Sequence, residues 1–116
     1  MAIDICAGQA LKLWHDVTHD MVLEEESDLS SRQMMVLLTV YLETPPHTVR
    51  GLAAKLGVTK PAITRALDTM GRAGLLTRRR DDKDKRNVVI LRTVKGALYV
   101  DKLGHKIVRQ AHTIAG

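Results

Sequence analysis

The feature that most constrains the fold is a sharp break between two short helical patterns, in the stretch LGVTKPAITRAL at residues 56–67. Gly57 predicts a left-handed residue that ends the first helix. Thr59 predicts the N-cap of a second helix over 60–73, and Pro61 falls in its first turn, where a missing backbone donor costs nothing. Two short helices joined by a tight glycine-containing turn are typical of a helix-turn-helix.

The second of these helices divides into an apolar face and a polar face. Its apolar residues recur at helical spacing and are expected to point into a core: Ile63, Leu67 and Met70. The opposite face carries Lys60, Thr64, Arg65 and Asp68. Lysine and arginine can reach phosphates or guanine edges in a major groove, and threonine can contact a base edge or a thymine methyl. The spacing alone also fits an ordinary helical hairpin, so both interpretations stay open at this point.

A β-hairpin is predicted directly after the helix. The sequence LLTRRRDDKDKRNVVILRT at 75–93 contains a basic strand, a polar tip from Asp81 to Arg86, and a second strand rich in Val and Ile. Three aspartates make the tip too acidic for a simple phosphate clamp. The pattern suits one arginine that enters a narrow minor groove while an aspartate holds its guanidinium. A solvated hairpin tip is the alternative.

Charge is segregated along the chain, whose formal net charge is +5. Residues 1–47 hold two basic and eight acidic residues, whereas residues 48–95 hold thirteen basic and four acidic residues. Such a concentrated basic field favours a polyanionic partner. The chain has no Phe, and its other aromatic residues all lie outside the basic segment from 48 to 95: Trp14, Tyr41 and Tyr99. Because readers of single strands usually stack bases on aromatic rings, duplex DNA is the favoured polyanion.

Three further helices are predicted around this basic segment. A seam of apolar residues marks a long amphipathic helix near the N-terminus: Ile3, Ala7, Ala10, Trp14, Val17 and Met21. LSSRQMMVLLTVYLE begins a mostly buried helix with a capping box between Ser30 and Gln33, and TPPHT ends it. Thr48 then caps the helix that precedes Gly57. A tail helix over 94–114 has its own apolar residues, which include Leu98, Val100, Leu103, Ile107, Val108 and Ile114.

Over 29–100 the sequence resembles the winged helix-turn-helix of MarR-type bacterial transcription regulators. The matching pieces are LSSRQMMVLL, TVRGLAAKLGVTKPAITRALDTMGRAGLLTRRRDDKDKRN and TVKGALYV, the second of which includes the wing pattern of Asp84 followed by Arg86. The resemblance implies a mostly α fold with a small two-stranded β wing, flanked by N- and C-terminal helices. Arg92 departs from the family pattern, which usually has an apolar residue at this position. The sequence therefore does not fix the residue at which the second wing strand ends.

The resemblance also implies a domain organisation within one compact domain. An N-terminal helix over 1–28 and a C-terminal helix over 94–116 would serve packing or dimerisation. Between them, 29–93 would form the DNA-binding core, with the helix-turn-helix at 48–73 and the wing at 75–93. Relatives usually continue into a further helix that helps to form the dimer, so here the seam of 3–21 and the tail are expected to substitute for it.

The implied function is that of a repressor that binds double-stranded DNA as a homodimer, with the helix over 60–73 in the major groove and Arg86, braced by Asp84, in the minor groove. The DNA-binding residues expected from this reading are Thr48, Thr59, Lys60, Pro61, Thr64, Arg65, Arg79, Lys83, Asp84, Lys85 and Arg86. The expected dimerisation residues are Ile3, Ala7, Ala10, Trp14, Val17, Leu103 and Ile107. The alternative is a winged-helix protein-interaction module without specific DNA binding, with the acidic stretch at 24–28 among its contacts.

Other functions find little support in the sequence. No nucleophile is paired with a base and no glycine-rich phosphate loop is present, so neither an enzyme nor a cofactor is expected. His15 and His19 lie four residues apart, but without a third ligand they are interpreted as surface residues rather than a metal site. The single cysteine, Cys6, is interpreted as a buried thiol. No apolar run reaches the ~20 residues of a membrane span and Asp4 does not suit a signal peptide, so a cytoplasmic protein is expected. A small-molecule effector is compatible with the resemblance, although the sequence does not locate its pocket.

Overall fold

The computed structural model describes residues 4–24 and 28–115 of the 116-residue chain. Its elements in chain order are α1 (Ala7–Leu23), α2 (Ser31–Leu42), β1 (His47–Thr48), α3 (Val49–Leu56), α4 (Lys60–Arg72), β2 (Leu76–Arg80), β3 (Val88–Arg92) and α5 (Val94–Ala115). The predicted fold class, mostly helical with a small β wing, is confirmed. Two compact units can be distinguished: Leu29–Val100, and the described residues before it together with those from Asp101 onward. Ile3 and residues 25–27 of the acidic stretch lie outside the described residues.

The Leu29–Val100 unit is built on one apolar core. Helix α4 contributes its predicted inner face, since Ile63, Leu67 and Met70 are all buried, and α2 adds Val36, Leu37 and Val40. The capping box that begins α2 is confirmed, because Ser30 accepts from the Gln33 amide and the Gln33 side chain accepts from the Ser30 amide. The expectation that α2 is mostly buried is wrong at Met35 and Leu42, which are exposed. A helix that packs on a core with one face leaves the opposite face in solvent.

The sheet has one more strand than the sequence predicts. Its order is β1-β3-β2, with both pairings antiparallel. The short strand β1 comes from the TPPHT segment, where His47 pairs with Ile90 and Thr48 with Val89. Two residues are too few to give an alternating pattern, and the two prolines before them signal only a stop. The wing is therefore anchored at its base by the segment that leads into α3.

Arg92 connects the end of the wing to the end of α2. Its Nε donates to the carbonyl oxygen of Val40 at 2.8 Å, and its Nη2 donates to that of Glu43 at 3.1 Å. The last carbonyls of a helix have no partner within the helix, so the guanidinium satisfies acceptors at the C-terminus of α2. This contact accounts for an arginine at the position where the family usually has an apolar residue, and β3 continues to it.

The junction between β3 and α5 is a polar cluster formed by Tyr41, Thr93 and Gly96. The Tyr41 hydroxyl donates to the Leu75 carbonyl at 2.8 Å and accepts from the Thr93 amide at 2.9 Å. The Thr93 hydroxyl donates to the Gly74 carbonyl at 2.7 Å and accepts from the Gly96 amide at 2.9 Å. A Cβ on Gly96 would collide with the Tyr41 hydroxyl and the Leu75 carbonyl oxygen. Glycine is therefore required here by close approach.

In the other unit, α1 begins later than the apolar seam predicts. Cys6 is the N-cap of α1 and is exposed, so the interpretation of this residue as a buried thiol is wrong. Lys106 of α5 is buried and pairs with Glu24 at 2.6 Å. A buried ammonium needs such a carboxylate, because an uncompensated buried charge is strongly destabilising. Within the described part of the chain, no helix has both the length and the apolar character of a membrane span.

Candidate nucleic-acid interface

The N-terminal turns of α4 are exposed to solvent, and the turn at 57–59 fixes where this helix begins. Gly57 adopts φ 68°, a left-handed conformation that ends α3. Thr59 is the N-cap of α4, and its hydroxyl oxygen accepts from the Ala62 amide at 3.2 Å. The residues of these turns that sequence analysis assigned to DNA are exposed: Lys60, Pro61, Thr64 and Arg65. Because the opposite face is locked into the core, these side chains are carried on a rigid support.

Thr48 occupies the corresponding capping position one helix earlier. Its hydroxyl oxygen accepts from the Gly51 amide at 2.9 Å, as the sequence predicts for an N-cap of α3, and the residue is half-buried. A threonine hydroxyl used in this way still has its own proton to donate. The hydroxyls of Thr48 and Thr59 can therefore each stabilise their helix and donate to a phosphate oxygen at the same time.

The tip of the wing holds Arg86 by a direct contact with Asp84. Arg86 Nε lies 3.1 Å from Asp84 Oδ1 and Nη2 lies 3.4 Å from Oδ2, while the backbone amide of Arg86 donates to Oδ1 at 3.1 Å. The side chain of Arg86 is 83% exposed and that of Asp84 is 37% exposed. The Arg86 side chain and then its amide keep the pKa of Asp84 below its usual value, with a smaller contribution from the charge of Arg50. Asp84 is therefore a charged brace at neutral pH.

Hydrogen bonds within the tip restrain its backbone. The Asp81 amide donates to the Asn87 carbonyl at 3.0 Å, and the Asn87 amide donates to the Asp84 carbonyl at 2.9 Å. Across the tip, Arg80 Nη1 donates to the Lys85 carbonyl at 2.8 Å. Lys83 and Lys85 remain exposed. The tip thus exposes cationic side chains on a backbone that is restrained by its own hydrogen bonds.

Strand β2 divides its three arginines between two faces. Leu76 is buried, so the alternation along the strand places Arg78 on the same face and Arg79 on the opposite one. Arg78 Nη2 donates to Asp68 Oδ1 of α4 at 2.7 Å. Arg79 is exposed. Of these arginines, only Arg79 was expected from the sequence to contact DNA. The Asp68–Arg78 ion pair was not expected, although the period of two from Leu76 indicates that Arg78 lies on the inner face of β2.

An open groove of about 540 Å³ lies between the start of α2 and α4. Two arginines are among its lining residues, Arg32 from α2 and Arg65 from α4. Arg32 is not among the residues expected from the sequence, because it lies in the acidic N-terminal part of the chain, where a lone basic residue gives no signal. The groove extends the cationic surface of α4 toward the start of α2.

The two sets of residues expected from sequence fall on different units. Every residue assigned to DNA lies in the Leu29–Val100 unit, whereas the described residues assigned to a dimer lie in the other unit. Within that unit, Ala7, Ala10, Trp14 and Ile107 are exposed, but Val17 and Leu103 are buried. Exposed apolar side chains that were not among the expected dimerisation residues are Leu11, Val22 and Leu23 of α1 and Val108 of α5.

The histidine pair on α1 has the geometry of two neighbouring surface residues. The rings of His15 and His19 stack with centroids 6.3 Å apart, and His15 Nδ1 lies 2.9 Å from Asp16 Oδ1. Among the described residues, no three histidine, cysteine or carboxylate side chains are grouped as metal ligands.

Comparison with known proteins places this geometry in a family. Residues 29–88, more than half of the chain, match the model of the MarR family. Among curated proteins, none matches the chain in sequence. The fold is similar to that of a mutant of MepR from S. aureus, with a TM-score of 0.74 and 17% identity over 97% of this chain and 83% of that one.

Two further solved structures are similar in fold. The PcaV transcriptional regulator from Streptomyces coelicolor, in complex with its natural ligand, has a TM-score of 0.65 and 25% identity over 97% of this chain and 82% of that one. A mutant MarR from E. coli, complexed with operator DNA, has a TM-score of 0.68 and 23% identity over 90% of this chain and 69% of that one.

Proposed function

This chain belongs to the MarR family, and we propose that it is a transcription regulator that binds specific sequences of double-stranded DNA. The family is one of transcription regulators and not of enzymes. The observation that carries the proposal is the pairing, within one unit, of a core-supported helix with an exposed cationic N-terminal end and a wing arginine braced by Asp84. The first element suits a major groove and the second suits a minor groove.

In the proposed complex, α4 enters the major groove with its N-terminal turns. Lys60 and Arg65 contact phosphates or guanine edges, while Thr64 contacts a base edge or a thymine methyl. Thr48, Thr59 and the backbone at the start of α4, including Pro61, approach phosphates. The positive end of the helix dipole favours this contact with an anion.

The wing is proposed to follow the backbone into the adjacent minor groove. Arg86 is the inserted side chain, because a narrow minor groove has an enhanced negative potential that attracts arginine. Asp84 does not contact the DNA in this arrangement, since its role is to fix the guanidinium before binding. Arg79, Lys83 and Lys85 contact phosphates on either side and contribute affinity rather than sequence preference.

The relatives support the regulatory side of the proposal. The E. coli MarR structure is a complex with operator DNA, and the PcaV structure holds its natural ligand. We infer that this chain likewise acts on an operator, as a repressor whose DNA binding responds to a small-molecule effector. A bacterial regulator of this kind acts where the chromosome lies, in the cytoplasm.

We also propose that the protein acts as a homodimer through the unit that contains α1. Leu11 and Trp14 are 71% and 60% exposed, and Ile107 and Val108 of α5 are exposed as well. Large apolar side chains in such number are typical of an interface rather than of a monomer surface. Trp14→Asp should convert a dimer to a monomer in sedimentation velocity, whereas His19→Asp, an exposed position on another side of α1, should not. A parent protein that sediments as a monomer would contradict the proposed dimer.

The experiment that tests the function is selection of bound duplexes from a random-sequence pool at near-physiological salt. An enriched inverted repeat with half-sites about one helical turn (~10 bp) apart would support both specific recognition and a two-fold dimer. Enrichment of a single half-site would support recognition by a monomer. No enrichment, with binding that disappears as salt rises, would contradict the function and favour the protein-interaction module instead.

A matched pair of variants separates specific contacts from general charge. Arg65→Gln removes one positive charge from the exposed face of α4, and Arg109→Gln removes one from the other unit, where Arg109 pairs with Asp20. Loss of affinity for the selected duplex should be large in the first and small in the second. Equal losses in the two variants would mean that only net charge matters.

A further inference from the structure

Asp68 is an anomaly on the surface that is proposed to face DNA. It lies on the polar face of α4, one turn beyond Thr64 and Arg65, and a carboxylate there repels phosphates. Its Oδ1 accepts from Arg78 Nη2 of β2 at 2.7 Å. The carboxylate is therefore engaged by the wing strand rather than left to face solvent alone.

The register of the sheet explains why Arg78 makes this contact. Arg78 is the partner of Ile90 across β2 and β3, and Ile90 is buried. Residues directly opposite each other on paired strands project to the same face of the sheet, so Arg78 projects to the face that packs toward the core and α4. Arg79, one residue further on, projects to the other face and has no equivalent route to α4.

The pair contributes more to geometry than to stability. The side chain of Arg78 is 34% exposed and that of Asp68 is 45% exposed, and pairs exposed to this extent stabilise a fold only weakly. Between the two residues the chain passes through the turn at Gly74, which has φ 77°. The ion pair is thus a second connection, beside the turn, that ties the wing strand to the third turn of α4.

We propose that Asp68 and Arg78 are positioning residues for DNA binding, and that their ion pair fixes the wing relative to α4. This inference rests on the proposed function. A protein that reads a major groove with one element and a minor groove with another needs a fixed offset between the two, because each contact is productive only when the other is in register. The pair supplies that offset without contacting DNA itself.

For Asp68→Asn, a role of the carboxylate in charge alone and a role in positioning the wing predict opposite changes in the affinity for DNA. The substitution removes one negative charge near the DNA, so by charge alone it tightens binding. If the ion pair positions the wing, the same substitution weakens binding in spite of the more favourable charge. Asp82→Asn is the matched control, because it removes an acidic charge from the exposed wing tip without affecting the pair, and it should leave binding equal or slightly tighter.

The test is a double-mutant cycle on the duplex that the parent protein selects. Fluorescence anisotropy gives the dissociation constants of four proteins: the parent, Asp68→Asn, Arg78→Gln and the double variant. Asp68→Asn should weaken binding by about threefold or more in the parent, and should not weaken it further in the Arg78→Gln background. Hydroxyl-radical protection of the minor groove should fall in Asp68→Asn while the unfolding transition stays nearly unchanged. That protection is a readout that a purely structural role of the pair would not move.

Two results would overturn the inference. Asp68→Asn that binds as tightly as the parent, or more tightly, would show that the pair does not position the wing. Equal weakening by Asp68→Asn in both backgrounds would show that Asp68 acts without Arg78. Failure of the proposed function is distinguishable, because it would appear as a parent protein that enriches no duplex at all, and it would remove this inference as well.

Discussion

Helix α4 and the wing tip at 81–86 would contact the same DNA, but different interactions hold them in place. The orientation of α4 is set by apolar side chains that are almost completely buried, Ile63, Leu67 and Met70. The tip buries no side chain and is held by hydrogen bonds and by the contact between Asp84 and Arg86. The difference implies that the position of α4 depends on the packed core, whereas the conformation of the wing tip does not.

The strongest test of this coupling is a change on the buried face of α4. Leu67→Ala removes a fully buried side chain and should lower the free energy of unfolding by ~2–5 kcal/mol. DNA binding should fall with it, because α4 loses its support. Denaturant unfolding measures the loss, and Lys60→Ala on the exposed face is the control that should leave stability nearly unchanged. Similar unfolding midpoints for the two variants would contradict a core-supported helix.

Gly96 and Gly104 offer a comparison within a single helix. A methyl group on Gly96 meets the Tyr41 hydroxyl and the Leu75 carbonyl, whereas one on Gly104 meets nothing within 4 Å. Gly96→Ala should destabilise the protein by about 1–3 kcal/mol, since a backbone acceptor cannot easily move away. Gly104→Ala should stabilise it by up to ~1 kcal/mol through helix propensity. Thermal unfolding of both variants checks the signs, and the same sign in both would show that the junction is not tightly packed.

The wing should show the reverse behaviour, a change in binding without a change in folding. Arg86→Ala should cost ~1–3 kcal/mol of binding to the selected duplex, because it removes the guanidinium that is proposed to enter the minor groove. The unfolding curve should superimpose on that of the parent, since the side chain of Arg86 is 83% exposed. Isothermal titration beside denaturant unfolding separates the two quantities. A variant that binds as tightly as the parent would contradict the assignment of Arg86 to the minor groove.

Asp84→Asn should have the smallest effect on DNA binding, and that effect should not change with pH near neutrality. Arg86 lowers the pKa of Asp84, so the carboxylate is charged above its usual pKa and protonates only as the pH falls through the lowered value. The ratio of dissociation constants for Asp84→Asn and the parent should therefore be greater than one and constant between about pH 6 and pH 8. A ratio that changes across this range would mean that another titrating group controls the tip.

The part of the fold that sequence predicted is the part encoded by neighbouring residues. Caps at Ser30, Thr48 and Thr59 and the left-handed turn at Gly57 each depend on residues within a few positions, and the structure has all of them. The buried face of α4 followed from helical spacing in the same way. The prediction of the wing as a hairpin was also confirmed, because alternation and a polar tip are local signals.

What the sequence did not predict depends on residues far apart in the chain. Strand β1 exists only because His47 and Thr48 meet β3, and Arg92 reaches α2 across about fifty residues. Alternation along β2 places Arg78 on the inner face of the strand, but its contact with Asp68 depends on how β2 packs against α4, which no local pattern gives. In the candidate site, helical spacing indicated the exposed face of α4 and the polar tip indicated an arginine held by an aspartate, whereas the contacts of Arg78 with Asp68 and of Arg80 with the Lys85 carbonyl were not predicted.

Protection of the selected duplex from methylation by dimethyl sulfate is the most direct test of whether α4 binds the major groove and Arg86 the minor groove. This reagent methylates guanine N7 in the major groove and adenine N3 in the minor groove. The parent protein should protect guanine N7 inside each half-site and adenine N3 beside it. Arg86→Ala should lose the adenine protection alone, because α4 remains supported by the core. Loss of both protections in Arg86→Ala, or protection of only one groove by the parent, would contradict the account.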